Sequence, residues 1–238
     1  MAPLLWNLYA RCYDSITALL PYQELLDEVM AALELAPGMR ILDVGCGTGA
    51  LAERIVAKHP YVELVGVDMA KAMLARARAR RTWPSSVRFI EGAIDDVLAR
   101  ETAPFDRIVS VNVLWTLPDP QRSLAAMAAR LGVGGTMVHT TPSWRLRAHA
   151  IVWRHLRGLF RGKGWRLLLG LPMLTVAGVL NLILVLQSML RARGSGARKR
   201  WHAEGLAELL RTAGTPVRTQ RPCYAGQNVL LVCRREAP

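Results

Sequence analysis

Metal-binding cysteine motifs are absent from this sequence. Its cysteines number only 4, at Cys12, Cys46, Cys223 and Cys233. None is paired as CxxC and none shows ligand spacing with a histidine, so no metal site is expected. Isolated cysteines of this kind are typical of reduced thiols in a cytoplasmic protein. The N-terminus also lacks a charged segment before an apolar one, and Arg11 and Asp14 follow early, which argues against a secretory signal peptide.

Acidic residues are missing from one long segment. Between Pro120 and Ala203 the chain has 14 Lys and Arg and no Asp or Glu, whereas the rest, with 17 basic and 18 acidic residues, is close to neutral. The net charge of +13 is therefore local. A basic surface confined to one segment argues against a general nucleic-acid-binding protein and indicates contact with something anionic.

A glycine-rich stretch at 45–49 organises the rest of the pattern. Apolar residues around one acid in 41–44 predict a short buried strand, and apolar residues at helical spacing in 50–58 predict a helix. The three glycines between them let the backbone turn sharply and approach a ligand closely. A strand, a glycine turn and a helix N-terminus together form the ligand-binding corner of an α/β sheet.

Strand and helix patterns alternate along the chain. Strands are predicted at 41–44, 62–67, 87–90, 105–112, 136–140, 217–219 and 228–233, and helices at 50–58, 71–81, 121–131 and 202–212. This alternation predicts βαβ units and a parallel sheet. The last two strands have no helix between them, which predicts an antiparallel hairpin at the sheet edge. Residues 4–35 are expected to form two helices broken near Pro21.

Two ligand classes fit the glycine turn. Gly45-x-Gly47-x-x-Ala50, with Asp68 about twenty residues on, satisfies a loose dinucleotide-binding fingerprint. The longer motif Asp43-Val44-Gly45-Cys46-Gly47-Thr48-Gly49 resembles motif I of the class I S-adenosylmethionine-dependent methyltransferases. That resemblance continues at Asp68-Met69, Phe105-Asp106, Leu117-Pro118-Asp119-Pro120 and Gly134-Gly135, over about residues 38–141 and 201–235. It favours the methyltransferase interpretation.

The resemblance implies an α/β fold of the Rossmann-like kind, a seven-stranded sheet with helices on both faces and an antiparallel C-terminal hairpin. Residues 37–142 and 201–238 would form the methyltransferase core, and residues 1–36 an N-terminal helical lid. Residues 143–200 lie outside the common core and would form a helical insertion between the fifth strand and the last helix.

The resemblance also implies S-adenosyl-L-methionine as the cofactor. Asp43 would orient the glycine loop and the cofactor ammonium, Asp68 would accept both ribose hydroxyls, and Met69 would lie against adenine. The expected cofactor-binding residues are Asp43, Gly45, Cys46, Gly47, Gly49, Asp68, Met69, Ala93, Ile94, Asp95 and Asn112. Ala93 departs from the family, which often has an Asp there for the adenine amine. Asp95 or Asp96 could replace that contact, or Ile94 could recognise adenine through its backbone.

Methyl transfer needs alignment and desolvation first, and a base only where the nucleophile carries a proton. His139, near the carboxyl end of the fifth predicted strand, is the candidate base, although a structural histidine fits the same pattern. The expected substrate-pocket residues are Tyr9, Tyr13, Trp115 and Trp144, all of which also fit ordinary packing.

The segment 143–200 combines basic and apolar patterns. On a helix over 145–161, arginines 147, 154, 157 and 161 fall on one side, and Val152, Trp153, Leu156, Leu159 and Phe160 fall on the other. Such a helix is typical of a membrane surface. Residues 167–190 carry no charge and are long enough to span a bilayer. However, a single crossing would separate 201–235 from the sheet, and both flanks are basic. A hairpin entering one leaflet and an apolar cap over the pocket both fit.

The sequence therefore predicts an S-adenosylmethionine-dependent methyltransferase acting on a hydrophobic small molecule or lipid, of the isoprenoid, quinone or phospholipid type. It is expected at the inner face of the membrane as a peripheral or monotopic protein, with an anionic membrane surface as partner and no nucleic acid. Two alternatives remain. One is a soluble O-methyltransferase of aromatic or polyketide metabolites, and the other is a catalytically silent cofactor-binding protein anchored at the membrane.

Overall fold

The structure, a computed structural model, describes residues 3–143, 148–158 and 203–235. The helices are α1 (Pro3–Thr17), α2 (Leu20–Leu33), α3 (Ala50–Lys58), α4 (Lys71–Ala79), α5 (Ile94–Arg100), α6 (Pro120–Arg130), α7 (Ala148–Gly158) and α8 (Ala203–Thr212). The strands are β1 (Arg40–Val44), β2 (Glu63–Asp68), β3 (Val87–Glu91), β4 (Phe105–Val111), β5 (Leu131–Pro142), β6 (Val217–Cys223) and β7 (Asn228–Arg234). A short 3₁₀ turn, Leu114–Thr116, follows β4.

The strands form one seven-stranded sheet in the order β3-β2-β1-β4-β5-β7-β6. The first five strands are parallel to one another, and β7 pairs antiparallel with both β5 and β6. The predicted parallel sheet with an antiparallel C-terminal hairpin is therefore confirmed. The strand order reverses between β1 and β4, and the loops that leave their carboxyl ends open a crevice for ligands.

Helices cover both faces of the sheet, because the strands are apolar on both sides. One buried cluster joins α1, α2, α3 and α4 to the face that carries Ile41, Val109 and Val138. The other joins α5, α6 and α8 to the opposite face, through Val97, Met127 and Leu210 among others. The predicted Rossmann-like architecture with two helical layers is thus confirmed.

The two predicted N-terminal helices are confirmed, and two local details are corrected. The N-terminal helices separate at Ala18-Leu19, and Pro21 lies in the first turn of α2, where its missing N–H leaves no helical bond unmade. The fifth strand is longer than 136–140, because the glycine-rich stretch 132–135, which has the composition of a turn, continues the strand. A register shift against β4 accommodates this stretch.

Helix α7 packs on α2. The N–H of Leu20 donates to Nδ1 of His155 at 3.2 Å, and Arg154 forms an ion pair with Glu24. Trp153 is 57% exposed, and the Arg157 guanidinium lies 4.9 Å from its ring centre. The prediction that Trp153 and Arg157 face opposite sides is therefore wrong, because residues four apart on a helix differ by only about 40°.

Most of the predicted insertion lies outside the described residues, including Trp144, Arg147, the apolar run 167–190 and the basic residues after it. Within the described ranges, none of the helices combines the length and apolar character that a bilayer crossing requires. The insertion itself stays a prediction.

Candidate active site

A cavity of about 240 Å³ opens at the carboxyl ends of β1, β2 and β4. The predicted site residues that line it are Tyr13, Gly45, Gly47, Asp68, Met69, Ile94 and Asn112. Apolar side chains make up much of the remaining wall, among them Trp6, Met73, Val113, Leu117 and Pro118. The polar side chains of Tyr13, Asp68, Asn112 and Thr116 interrupt a lining that is otherwise mostly apolar.

The glycine loop turns through left-handed backbone at Gly45 and Gly47, with φ values of 66° and 54°. A side chain at Gly45 would overlap Val113, which lines the cavity beside it. A Cβ at Gly47 would face Tyr13, whose Cε1 would lie 3.6 Å away. Glycine is therefore required at Gly45 for both conformation and space, and at Gly47 for conformation, since 3.6 Å is an ordinary van der Waals contact.

Asp68, at the end of β2, is tied to this loop. Its Oδ2 accepts the N–H of Gly47 at 2.9 Å, and its Oδ1 accepts the N–H of Ala70 at 2.8 Å. Burial raises the pKa of Asp68, while these backbone donors act in the opposite direction. The carboxylate lines the cavity with lone pairs left for a ligand, since each oxygen can accept more than one bond.

Asp43, near the end of β1, is 2% exposed, and its Oδ2 has no hydrogen-bond partner within the described part of the chain. Burial, and secondarily the charge of Asp68, raise the pKa of Asp43 to about 7. An unpaired buried carboxylate is unfavourable. Asp43 does not line the cavity, so a cationic ligand group, such as the ammonium of a bound amino-acid moiety, would stabilise its charged form through the glycine loop or a water.

Helix α1 supplies one wall of the cavity. Tyr13 lines it, and its hydroxyl lies 2.9 Å from that of Tyr22 on α2. Tyr9 is buried between Trp6 and Tyr13, with ring centres 5.6 and 5.3 Å away, and is not a lining residue. Of the two tyrosines expected in the substrate pocket, the structure therefore brings only Tyr13 to the cavity.

Asn112 follows β4 in the left-handed region, with φ of 61°. Its N–H is held by the carbonyl and the hydroxyl oxygen of Thr140, both at 3.1 Å. Its Oδ1 accepts Nδ2 of the buried Asn228 at 2.6 Å. Sequence reasoning missed Asn228, because nothing local marks a residue of the edge hairpin as a partner of the β4 loop.

His139 lies inside β5 and not at its carboxyl end, because the strand continues to Pro142. It is fully buried and is not a lining residue. Its Nδ1 shares a hydrogen bond of 2.7 Å with Ser110 Oγ, and burial lowers its pKa to about 4. His139 was expected near the carboxyl end of the fifth strand. The structure corrects this expectation, because β5 continues beyond His139 to Pro142.

The other predicted residues lie near the cavity without lining it. Cys46, Gly49, Ala93, Asp95 and Trp115 belong to this group. Gly49 precedes α3 and Ala93 precedes α5, so both act as helix-capping positions. Asp95 Oδ1 and Trp115 Nε1 are buried and lack a partner within the described ranges. Trp144 falls outside those ranges.

Residues 41–135 match a family described as methyltransferase domain. A ubiquinone biosynthesis O-methyltransferase of Xylella fastidiosa is 34% identical over 124 residues, which are 52% of this chain and 49% of that protein. The chain spans half or less of the length of the curated relatives it matches.

Two solved structures extend the likeness over most of the chain. The N-methyltransferase NodS of Bradyrhizobium japonicum, in complex with S-adenosyl-L-homocysteine, has a TM-score of 0.60 at 18% identity, with 92% of this chain and 90% of that one covered. The magnesium protoporphyrin IX methyltransferase of Synechocystis, with bound S-adenosyl-homocysteine, has a TM-score of 0.58 at 14% identity, with coverage of 91% and 84%. At these identities the likeness shows the fold.

Residues 41–135 therefore match a methyltransferase domain, and the fold over most of the chain is the Rossmann-like fold of these solved methyltransferases. The resemblance to the class I S-adenosylmethionine-dependent methyltransferases is thus confirmed for the domain at residues 41–135 and for the fold.

Proposed function

We propose that the protein transfers a methyl group from S-adenosylmethionine to a hydrophobic small molecule or lipid, of the isoprenoid, quinone or phospholipid type. The observation that carries this proposal is the polarity of the cavity. The glycine loop and Asp68 line one part of it, and most of its other lining residues are apolar; the buried Asp43, whose Oδ2 lacks a partner in the described part of the chain, precedes the loop.

The chain's own residues fit the cofactor. Asp43 would neutralise the ammonium, and Asp68 would accept the ribose hydroxyls while it keeps its bonds to the loop. Met69, 48% exposed at the cavity wall, offers an apolar surface for adenine. When bound, the cofactor supplies an electrophilic methyl group attached to a sulfonium.

The acceptor is proposed to lie against the apolar wall formed by Trp6, Met73, Leu117 and Pro118. Such a wall excludes water and aligns the nucleophile, which are the main requirements of an in-line methyl transfer. The similarity to a ubiquinone biosynthesis O-methyltransferase supports a quinone-type acceptor. Because His139 does not line the cavity, we propose no role for it as a base.

The test is to incubate the protein with methyl-labelled S-adenosylmethionine and, in separate reactions, a lipid extract and an aqueous extract of aromatic metabolites, and to identify labelled products by mass spectrometry. The matched control is Asp68→Asn, which keeps the side-chain volume and loses the carboxylate. A labelled apolar product that depends on Asp68 supports the proposal. A labelled water-soluble aromatic product would favour the alternative acceptor class. Cofactor binding with no labelled product from lipid or aromatic metabolite pools would favour a catalytically silent protein.

We further propose that the exposed face of α7 contacts an anionic membrane surface. Trp153 and Arg157 stack on this face, and the chain from Pro120 to Ala203 has no acidic residue to oppose the contact. Tryptophan prefers the membrane interface, and each basic residue near anionic lipid contributes about 1 kcal/mol. The proposed partner is a bilayer, which α7 would contact peripherally at the inner face of the membrane.

Vesicle co-sedimentation tests the membrane proposal. The protein is expected to bind vesicles of phosphatidylglycerol and phosphatidylcholine, and to be released by salt. Trp153→Ala and Arg157→Gln should weaken this binding, whereas Tyr61→Ala, which removes another exposed aromatic, should not. Equal recovery of all variants with the vesicles, or no binding by the unaltered protein, would overturn the proposal.

A further inference from the structure

A single carboxylate joins α1 to the glycine loop and to α4. Oδ1 of Asp14 accepts the hydroxyl of Thr48 at 2.7 Å and Nη2 of Arg80 at 2.6 Å. Oδ2 of Asp14 accepts Nε and Nη2 of Arg76 at 3.0 and 2.6 Å. Three segments that are distant in the sequence therefore meet at one side chain.

Arg80 also holds the loop directly. Its Nε donates to the carbonyl of Thr48 at 2.8 Å, and its Nη1 pairs with Glu53 on α3 at 3.1 Å. Thr48 itself is 1% exposed, between Gly47 and Gly49 of the loop. Charge-assisted hydrogen bonds of this kind are stronger than neutral ones and constrain geometry. The loop is thus fixed by Asp14 and Arg80, neither of which lines the cavity.

The cavity wall on α1 lies next to this contact. Tyr13 precedes Asp14 and lines the cavity opposite Gly47. A second bond between α1 and α4, from the N–H of Ala72 to Oδ1 of Asn7, spans 3.0 Å. Helix α1 is not part of the sheet, so side-chain contacts and packing decide whether it stays over the cavity.

We infer that Asp14 is a positioning residue that couples the closure of α1 over the cofactor cavity to the conformation of the glycine loop. The inference rests on the proposed function in one respect, because the cofactor is the ligand whose affinity reports the coupling. Loss of the Asp14 carboxylate frees α1 and leaves Thr48 with one partner fewer. Cofactor affinity then falls although no cofactor-contacting residue has changed.

The test compares Asp14→Ala, Asp14→Asn and Thr48→Val with the unaltered protein. Asp27→Asn is the matched control, because Asp27 forms an ion pair with Arg54 between α2 and α3, and neither residue lines the cavity. Calorimetry with S-adenosyl-L-homocysteine should give a Kd raised about tenfold or more for Asp14→Ala, and less for Asp14→Asn and Thr48→Val. The control should stay within about twofold.

Hydrogen exchange in the absence of ligand provides the second measurement. Amides of α1 should exchange faster in Asp14→Ala than in Asp27→Asn, while those of β1 and β4 keep their protection. Unchanged α1 exchange, or an unchanged Kd in Asp14→Ala, would overturn the inference. If the unaltered protein does not bind S-adenosyl-L-homocysteine, the proposed function is overturned instead. The hydrogen-exchange comparison then still tests whether Asp14 holds α1 in place. If Asp14→Ala does not fold, Asp14→Asn carries both measurements.

Discussion

Asp68 Oδ2 accepts the backbone N–H of Gly47 at 2.9 Å, so the acid that ends β2 holds the loop that follows β1. This bond makes Asp68 both a ligand group and a support for the loop. The two roles can be separated by substitution.

Asp68→Ala is expected to abolish measurable S-adenosylmethionine binding in calorimetry, because it removes the acceptor for the ribose and the bond to Gly47 together. Asp68→Asn retains one oxygen for a single backbone donor and should bind weakly, with Kd raised about tenfold to a hundredfold. Unchanged affinity in Asp68→Ala would contradict the assignment of the whole nucleotide site.

Cofactor affinity should depend on pH through Asp43. Burial and the charge of Asp68 raise the pKa of Asp43 to about 7 in the free protein, and a bound ammonium would lower it. Binding then releases a proton below pH 7, so Kd should rise as pH falls from about 7 and stay level above it. Calorimetry across this range tests the expectation. In Asp43→Asn, Kd should be higher and nearly independent of pH.

Asp43→Asn should also increase the stability of the folded protein. Asp43→Asn removes a buried carboxyl whose raised pKa makes ionisation unfavourable in the folded state, so its melting temperature at pH 8 should exceed that of the unaltered protein. At pH 5, where Asp43 is protonated in the folded protein, the difference should shrink. An Asp43→Asn protein that is less stable at pH 8 would contradict this account.

Gly45→Ala should be more damaging than Gly38→Ala. Both residues have positive φ, so either substitution costs about 1–2 kcal/mol of conformational energy. A Cβ at Gly45 also overlaps Val113, which adds about 1–3 kcal/mol, whereas nothing lies within 4 Å of one at Gly38. Thermal unfolding measures the difference. Equal melting temperatures for the two variants would argue against the tight contact with Val113.

His139→Gln should leave methyl transfer within a few-fold of the unaltered rate, because His139 does not line the cavity. Burial lowers its pKa from 6.5 to about 4, so the unfolded chain binds a proton that the folded protein does not between these values. Stability should therefore fall as pH drops from about 6.5 towards 4, and fall less steeply in His139→Gln. A large loss of activity, with cofactor affinity intact, would restore His139 as a candidate base.

The fold could be predicted from the sequence because the patterns that indicate it are local. The glycines at 45–49 and the alternating apolar segments predict the βαβ units without knowledge of long-range contacts. The fifth strand was underestimated for the opposite reason. Its glycines at 132–135 have the composition of a turn, and only pairing with β4 and β7 extends the strand from Leu131 to Pro142.

Part of the candidate site could also be predicted from the sequence, because several of its residues lie in local motifs. Gly47, Asp68 and Met69 line the cavity where their motifs placed them. Asp14 and Asn228 carry no motif, because each acquires its role from a partner brought close by packing, Thr48 in one case and Asn112 in the other. A residue whose partner is brought close only by tertiary packing cannot be recognised from motifs or periodicity in the sequence.

The antiparallel pairing of β5 with β7 has a consequence for synthesis of the protein. Ribosomes complete β5 before the long basic segment, and they reach β7 only after it. Throughout that interval the nascent sheet has an open edge at β5, with N–H and C=O groups available to any extended strand. A chain stalled before Asn228 should therefore aggregate or recruit chaperones, and release from them should coincide with emergence of the last hairpin.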